Sequence, residues 1–292
     1  MDLAQKAPNV YQAFQTILKK DRLNHAYLFS GDFANEEMAL FLAKVIFCEQ
    51  KKDQTPCGHC RSCQLIEQGD FADVTVLEPT GQVIKTDVVK EMMANFSQTG
   101  YENKRQVFII KDCDKMHINA ANSLLKYIEE PQGEAYMFLL TNDDNKVLPT
   151  IKSRTQVFQF PKNEAYLYQL AQEKGLLNHQ AKLVAKLATN TSSHLERLLQ
   201  TSKLLELITQ AERFVSIWLK DQLQAYLALN RLVQLATEKE EQDLVLTLLT
   251  LLLARERAQT PLTQLEAVYQ ARLMWQSNVN FQNTLEYMVM SE

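Results

Sequence analysis

Five short runs rich in apolar, β-branched and aromatic residues are spread through the first 160 residues, and none follows. They cover residues 25–29, 74–77, 106–110, 136–140 and 156–160. Helical patterns separate them. Residues 11–20 put Phe14, Ile17 and Leu18 on one face, and residues 38–47 are apolar throughout. Thr86 or Asp87 caps a helix to Phe96 with Val88, Val89, Met92 and Met93 inward, and residues 120–130 form a strong helix stopped by Pro131. Strands alternating with helices predict a parallel sheet with helices on both faces. Only 7 Gly and 7 Pro in 292 residues argue against a hairpin-rich alternative.

After Pro161 the pattern becomes purely helical. Three helices fit residues 163–174, 178–189 and 193–208, with Gly175 as a C-cap. Beyond about 210 the chain is Leu-rich, as in Phe214/Ile217/Trp218 and Leu244/Leu248/Leu251/Leu252. The expected layout is an α/β domain over 1–161, a small helical domain over 162–208 and a larger one over 209–292. With 31 Lys+Arg against 35 Asp+Glu the net charge is −4, which disfavours a protein that coats nucleic acid unaided. The opening residues lack a basic-then-apolar signal, and the apolar stretch 244–254 is too short to span a bilayer, so a cytoplasmic protein is expected.

Four of the five cysteines fall within sixteen residues, as Cys48, Cys57, Cys60 and Cys63. Thiolates are soft ligands, and four suit tetrahedral Zn2+ in a closed, structural site. The stretch around them is polar, which opposes a reading as buried core thiols. An iron–sulfur cluster and unligated thiols are the alternatives, and His59 is a substitute ligand. Cys113 stands alone and is read as packing.

The first strand, Gly31 and an apolar helix form the setting of a phosphate-binding loop, which requires G-x-x-x-x-G-K-[ST]. Here the positions of the second Gly, the Lys and the hydroxyl hold Glu36, Glu37 and Met38. Two carboxylates would then face a polyphosphate, and one like-charge pair near 4 Å costs roughly 4 kcal/mol at an effective dielectric of 20. In a second window, the strand 106–110 runs into Lys111 and Asp112. Lys111 stands where a carboxylate would hold Mg2+, and Asp112 keeps an acid in the next place. These are read as two independent defects, so no ATP or Mg2+ of its own is expected.

Residues 122–131, NSLLKYIEEP, resemble the NxLLKxLEEP helix of the bacterial DNA polymerase III clamp-loader subunits, and 148–155, LPTIKSRT, resemble their PTIxSRC motif. The cysteine quartet fits the zinc module (about 48–63) of that family's first domain, and Asn278-Val279-Asn280 with Leu285-Glu286 resembles its closing helix. The likeness covers nearly the whole chain. The lost phosphate loop resembles the delta-prime branch, since the motor branches (gamma and tau) keep theirs intact.

The resemblance implies an AAA+-type α/β domain with a zinc insert, a three-helix lid and an all-α collar. It implies a hetero-pentamer with delta and gamma/tau subunits that places a sliding clamp on primer-template DNA. It also implies that Arg154, supported by Ser153 and Thr155, is lent in trans to a neighbour's ATP site. Thr155 replaces the family's Cys. The lid lacks the motor subunits' sensing arginine, reading Ser192-Ser193-His194 with no Arg before Arg197. His25 is read as a strand-start residue near the lost pocket, and Glu129-Glu130 as solvated helix-end acids. The competing readings are an ATPase motor with an atypical loop and a stand-alone zinc-containing DNA-binding protein.

Overall fold

Residues 26–30 are buried without exception, so the strand they form must be covered on both faces. The computed structural model describes the chain apart from residues 1–2, 32, 82, 97–104, 131–132, 189–194, 196–197, 201–202, 256–261 and 292. The reading of Pro131 as a helix stop and that of residues 192–194 and Arg197 therefore lie outside the described residues.

The first unit spans Met1–Asn163. In chain order it contains α1 (Leu3–Lys6), α2 (Pro8–Lys19), β1 (Ala26–Ser30), α3 (Asn35–Phe47), α4 (Arg61–Gln68), β2 (Val74–Leu77) and α5 (Thr86–Phe96). It continues with β3 (Arg105–Ile110), α6 (Ile118–Glu129), β4 (Glu134–Thr141), α7 (Pro149–Lys152) and β5 (Gln156–Gln159). The strands form one sheet in the order β2-β3-β4-β1-β5, with every neighbouring pair parallel. All five expected strands are present, within two residues at each end. Helix α4 was not foreseen, because only eight residues carry it and the cysteines obscure its pattern.

Period-two alternation divides the core between the two faces of the sheet. Tyr27, Phe29, Val107, Ile109, Phe138 and Leu140 pack with Phe14 of α2 and Met38 and Leu42 of α3. Ala26, Leu28, Phe108, Ile110, Met137 and Leu139 pack with Val89, Met92 and Met93 of α5 and Leu124 and Ile128 of α6. Val88, expected to face inward, is instead 39% exposed, since the helix turns it away from its buried neighbour Val89. Phe14 is an aromatic hub, its ring centroid 5.3 Å from Tyr27, 5.6 Å from Phe29 and 4.5 Å from Phe158.

The second unit spans Glu164–Glu292. It contains α8 (Glu164–Glu173), α9 (Asn178–Leu187), α10 (Leu204–Trp218), α11 (Gln222–Leu235), α12 (Lys239–Arg255), α13 (Leu262–Gln276) and α14 (Phe281–Met290), and residues 198–200 are also helical. Gly175, at φ +91°, closes α8, with the Leu176 amide donating to the Ala171 carbonyl at 3.2 Å, as the sequence led us to expect. The expected helix over 193–208 lies partly outside the described residues, and the expected boundary at 208/209 falls inside a helix. Residues 204–218 form one helix through that point, because Leu204, Leu207, Ile208, Ala211, Phe214, Val215 and Trp218 make one continuous buried stripe. No described helix is long and apolar enough to cross a membrane.

Gly31 closes β1 at φ +98°, and a β-carbon there would lie 2.3 Å from the carbonyl oxygen of Phe160. That contact is backbone against backbone, so neither side yields cheaply. We expect Gly31→Ala to lower stability by about 3 kcal/mol, from left-handed strain and displacement of the neighbouring strand end. Urea unfolding measures it, and a change below about 0.5 kcal/mol would contradict the account.

Candidate functional site

In an open parallel sheet, ligands sit beyond the carboxyl ends of the strands, where the strand order reverses. Here that place is the end of β1, flanked by β4 and β5, where Gly31, Glu36, Glu37 and Met38 lie. Gly31 donates its amide to the Thr141 carbonyl at 2.8 Å, and the Ser30 carbonyl accepts from the Phe160 amide at 2.6 Å. Both exits from the strand are thereby tied to β4 and to the residue after β5. Ala34, at φ +67°, makes the turn into α3, and the Met38 amide starts that helix by donating to its carbonyl at 3.0 Å. Met38 is fully buried in the core, so that side chain belongs to packing.

The two carboxylates are not left free to face a polyphosphate. Lys111, at the end of β3, makes ion pairs with both Glu36 and Glu78. Lys6, only 3% exposed, places Nζ 2.6 Å from Glu37 Oε1. The two defects are therefore not independent. Lys111, read in the sequence as standing in a metal-binding acid's place, pairs with Glu36, read as standing in the phosphate loop. Burial pulls the Lys111 pKa down, but the hydrogen bonds to Glu36 and Glu78 prevail and hold it above the ordinary lysine value. The expected picture of free carboxylates facing a polyphosphate is thus replaced by paired charge. Asp112, at φ +48°, turns aside to Lys115 at 2.9 Å. Lys6 and Glu78 were missed in the sequence because nothing local marks residues 31 and 33 positions away as partners. His25 is not near this place. It precedes β1 at the opposite end of the strand, its Nε2 2.6 Å from the Ile128 carbonyl oxygen.

Arg154 follows the short helix α7, which Pro149 opens. Its Nε makes an ion pair with Glu129 at the end of α6, and Nη1 donates to the Thr150 carbonyl at 3.1 Å and to Ser153 Oγ at 3.3 Å. Glu129 is therefore not simply solvated. The Thr155 hydroxyl donates to the Ile151 carbonyl at 3.0 Å, so the residue that replaces the family's Cys has its polar atom satisfied within the turn. The same turn is anchored to β1. Lys152 Nζ lies 2.6 Å from Asp144 Oδ2, and Ser30 Oγ donates to Asp144 Oδ1 at 2.9 Å. Those bonds, Lys152's first, hold the Asp144 carboxyl below its usual range. Thr141, buried beside it, donates to Asp114 Oδ1 at 2.6 Å.

The four cysteines converge from separate places in the chain. Cys48 ends α3, Cys57 and Cys60 flank a turn through Gly58 at φ +75°, and Cys63 lies in the first turn of α4. Their sulfurs all lie within 4.8 Å of one another, and none is in a disulfide. Four ligands about 2.3 Å from one zinc would stand about 3.8 Å apart, and the Cys48 and Cys60 sulfurs are 3.9 Å apart. The Cys57 amide donates to Cys48 Sγ and the Cys60 amide to Cys57 Sγ, each at 3.3 Å. Burial pushes the Cys63 thiol up to about 12, and the other sulfurs add to that. A divalent cation would remove the crowding of thiols, so the donor set fits a metal such as zinc. His59 is not brought into the set: its Nδ1 is 2.9 Å from the Cys57 carbonyl oxygen and its Nε2 is 3.2 Å from Gln50 Oε1.

Comparison with known proteins accords with this geometry. The family model described as DNA polymerase III, delta subunit, matches residues 6–164. The DNA polymerase III subunit delta' of Bacillus subtilis is 30% identical over 99% of this chain and 97% of its own length. The subunit delta' of Pseudomonas aeruginosa is 35% identical over 44% of this chain and 41% of its own. The subunit tau of Escherichia coli is 32% identical over 51% of this chain and 24% of its own. On a match that runs the length of both proteins, the chain belongs to the delta-prime subunit family of the DNA polymerase III clamp loader.

Proposed function

We propose that this chain is a non-hydrolysing, stator-like subunit that holds no nucleotide and lends Arg154 to the ATP site of a neighbouring subunit. The observation that carries the reading is the charge network at the end of β1. Glu36, Glu37, Lys111 and Lys6 occupy with ion pairs the ground that a triphosphate and its Mg2+ would need. A motor with an atypical loop would have to break these pairs to bind nucleotide, and it would still lack the loop lysine and hydroxyl. The partners on this reading are delta and gamma/tau subunits in a hetero-pentamer, and the assembly acts on a sliding clamp and primer-template DNA. Residues 164 to about 200 would serve as the lid and the helices from Leu204 onward as the collar.

Arg154's role follows from its chemistry. A guanidinium is always charged and donates in a plane, so it neutralises charge that develops on a transferring phosphoryl group. Its place beside the Pro149–Lys152 helix, tied through Lys152 and Asp144 to β1, gives it a rigid base. The cysteine quartet would hold a structural Zn2+ that supplies no reaction step. It staples the end of α3 to the start of α4 and so braces the helix that carries Glu36 and Glu37.

Two outcomes are expected. Arg154→Ala should leave the isolated chain folded and lower the DNA-stimulated ATPase of the reconstituted assembly by roughly 1,000-fold at the site it serves. An unchanged rate would remove the trans role. Cys60→Ser should lower zinc content and cost about 2 kcal/mol or more in stability, since a structural zinc site contributes directly to folding. Elemental analysis of the freshly purified chain that finds no zinc would reject the assignment.

A further inference from the structure

We propose that Glu129 is the positioning residue for Arg154, holding its guanidinium at Nε while Nη2 stays available to a ligand. The inference rests on the reading of Arg154 as an arginine lent to a neighbour's ATP site.

An arginine side chain has four rotatable bonds and loses up to about 2 kcal/mol of rotamer freedom when fixed. Arg154 is fixed by three contacts. Two come from its own turn: the Thr150 carbonyl at 3.1 Å and Ser153 Oγ at 3.3 Å. These move with α7 and set only the local direction of the chain. The third is the ion pair with Glu129, which comes from another element, the last residue of α6. It fixes the guanidinium relative to the sheet, because α6 is packed on it through Leu124 and Ile128.

The division of donors matters. Nε and Nη1 are engaged within the chain, while Nη2 has no partner among the described residues, and the side chain keeps 38% of its surface exposed. With Glu129 on Nε and the turn on Nη1, Nη2 can still donate to a phosphate oxygen without breaking an existing bond. Donors held in place before charge develops need no reorganisation as it does, whereas a small misplacement is costly in rate. Glu129 is itself 48% exposed, so the pair adds little to folding stability and its function lies in geometry.

The test compares Glu129→Ala, Glu129→Gln and Arg154→Ala in the reconstituted assembly, with kcat and KM for ATP measured separately and assembly checked by co-purification. Positioning predicts that Glu129→Ala lowers kcat about tenfold with KM for ATP unchanged. Glu129→Gln, which keeps an acceptor oxygen at the same reach, should recover most of that loss. The double variant Glu129→Ala/Arg154→Ala should be no slower than Arg154→Ala alone. If Arg154→Ala lowers the rate but Glu129→Ala leaves it unchanged or raises it, the positioning inference is overturned while the trans role stands. Equal loss in Glu129→Gln and Glu129→Ala, or loss of assembly in either, overturns it also. If Arg154→Ala has no effect, the underlying reading fails and this inference fails with it.

Discussion

The ion pairs that converge on α3 are the physical basis for proposing that this fold keeps the frame of a nucleotide-binding domain without its chemistry. A phosphate loop works by presenting uncompensated positive charge and backbone amides to an anion. Here Glu36 and Glu37 bring negative charge into that place, and Lys111 and Lys6 supply the compensation. A glutamate in the loop alone would leave a carboxylate facing the end of the sheet without a partner. A lysine after β3 alone would keep only Glu78 as its partner. Together they are satisfied, which makes the two changes parts of one arrangement. Helix α3 is tied to α1 and to the end of β3 by these pairs, and Cys48 at its end joins the cysteine quartet that reaches α4.

That arrangement also separates the two charged parts of the domain. The end of β1 is filled by pairs internal to the chain, while Arg154 stands on a different turn with its Nη2 uncommitted among the described residues. Both are carried by the same central strand. Gly31 leads from β1 into the closed loop, and Ser30 is bonded to the Asp144 that anchors α7. On the proposed reading, a domain with no nucleotide to exchange gives a steady platform for an arginine lent to a neighbour.

Much of this was legible in the sequence, for physical reasons that can be named. Parallel strands covered on both faces are continuous apolar runs, so all five could be read. The cysteine spacing announced the quartet because ligand chemistry needs close pairs. The LPTIKSRT stretch marked Arg154 through its resemblance to the family's PTIxSRC motif. What the sequence hid was pairing across distance. Glu36 and Lys111 looked like separate faults, since register brings β1 and β3 together only through β4. Glu129 looked like a solvated helix end because its partner lies 25 residues on. Val88 and Val89 are equally apolar, and only the helix phase set by α6 decides which one is buried. Along Leu204–Trp218 the polarity pattern runs unbroken, so composition alone offered no true place for a domain boundary.

The measurement that bears most directly on the central claim is isothermal titration of the purified, zinc-replete chain with Mg2+-ATP at low ionic strength. An occupied, internally neutralised loop predicts no binding heat at submillimolar nucleotide. A saturable isotherm with a submillimolar dissociation constant, abolished by Glu37→Ala or Lys111→Ala, would show that the pairs open to admit phosphate and would contradict the account.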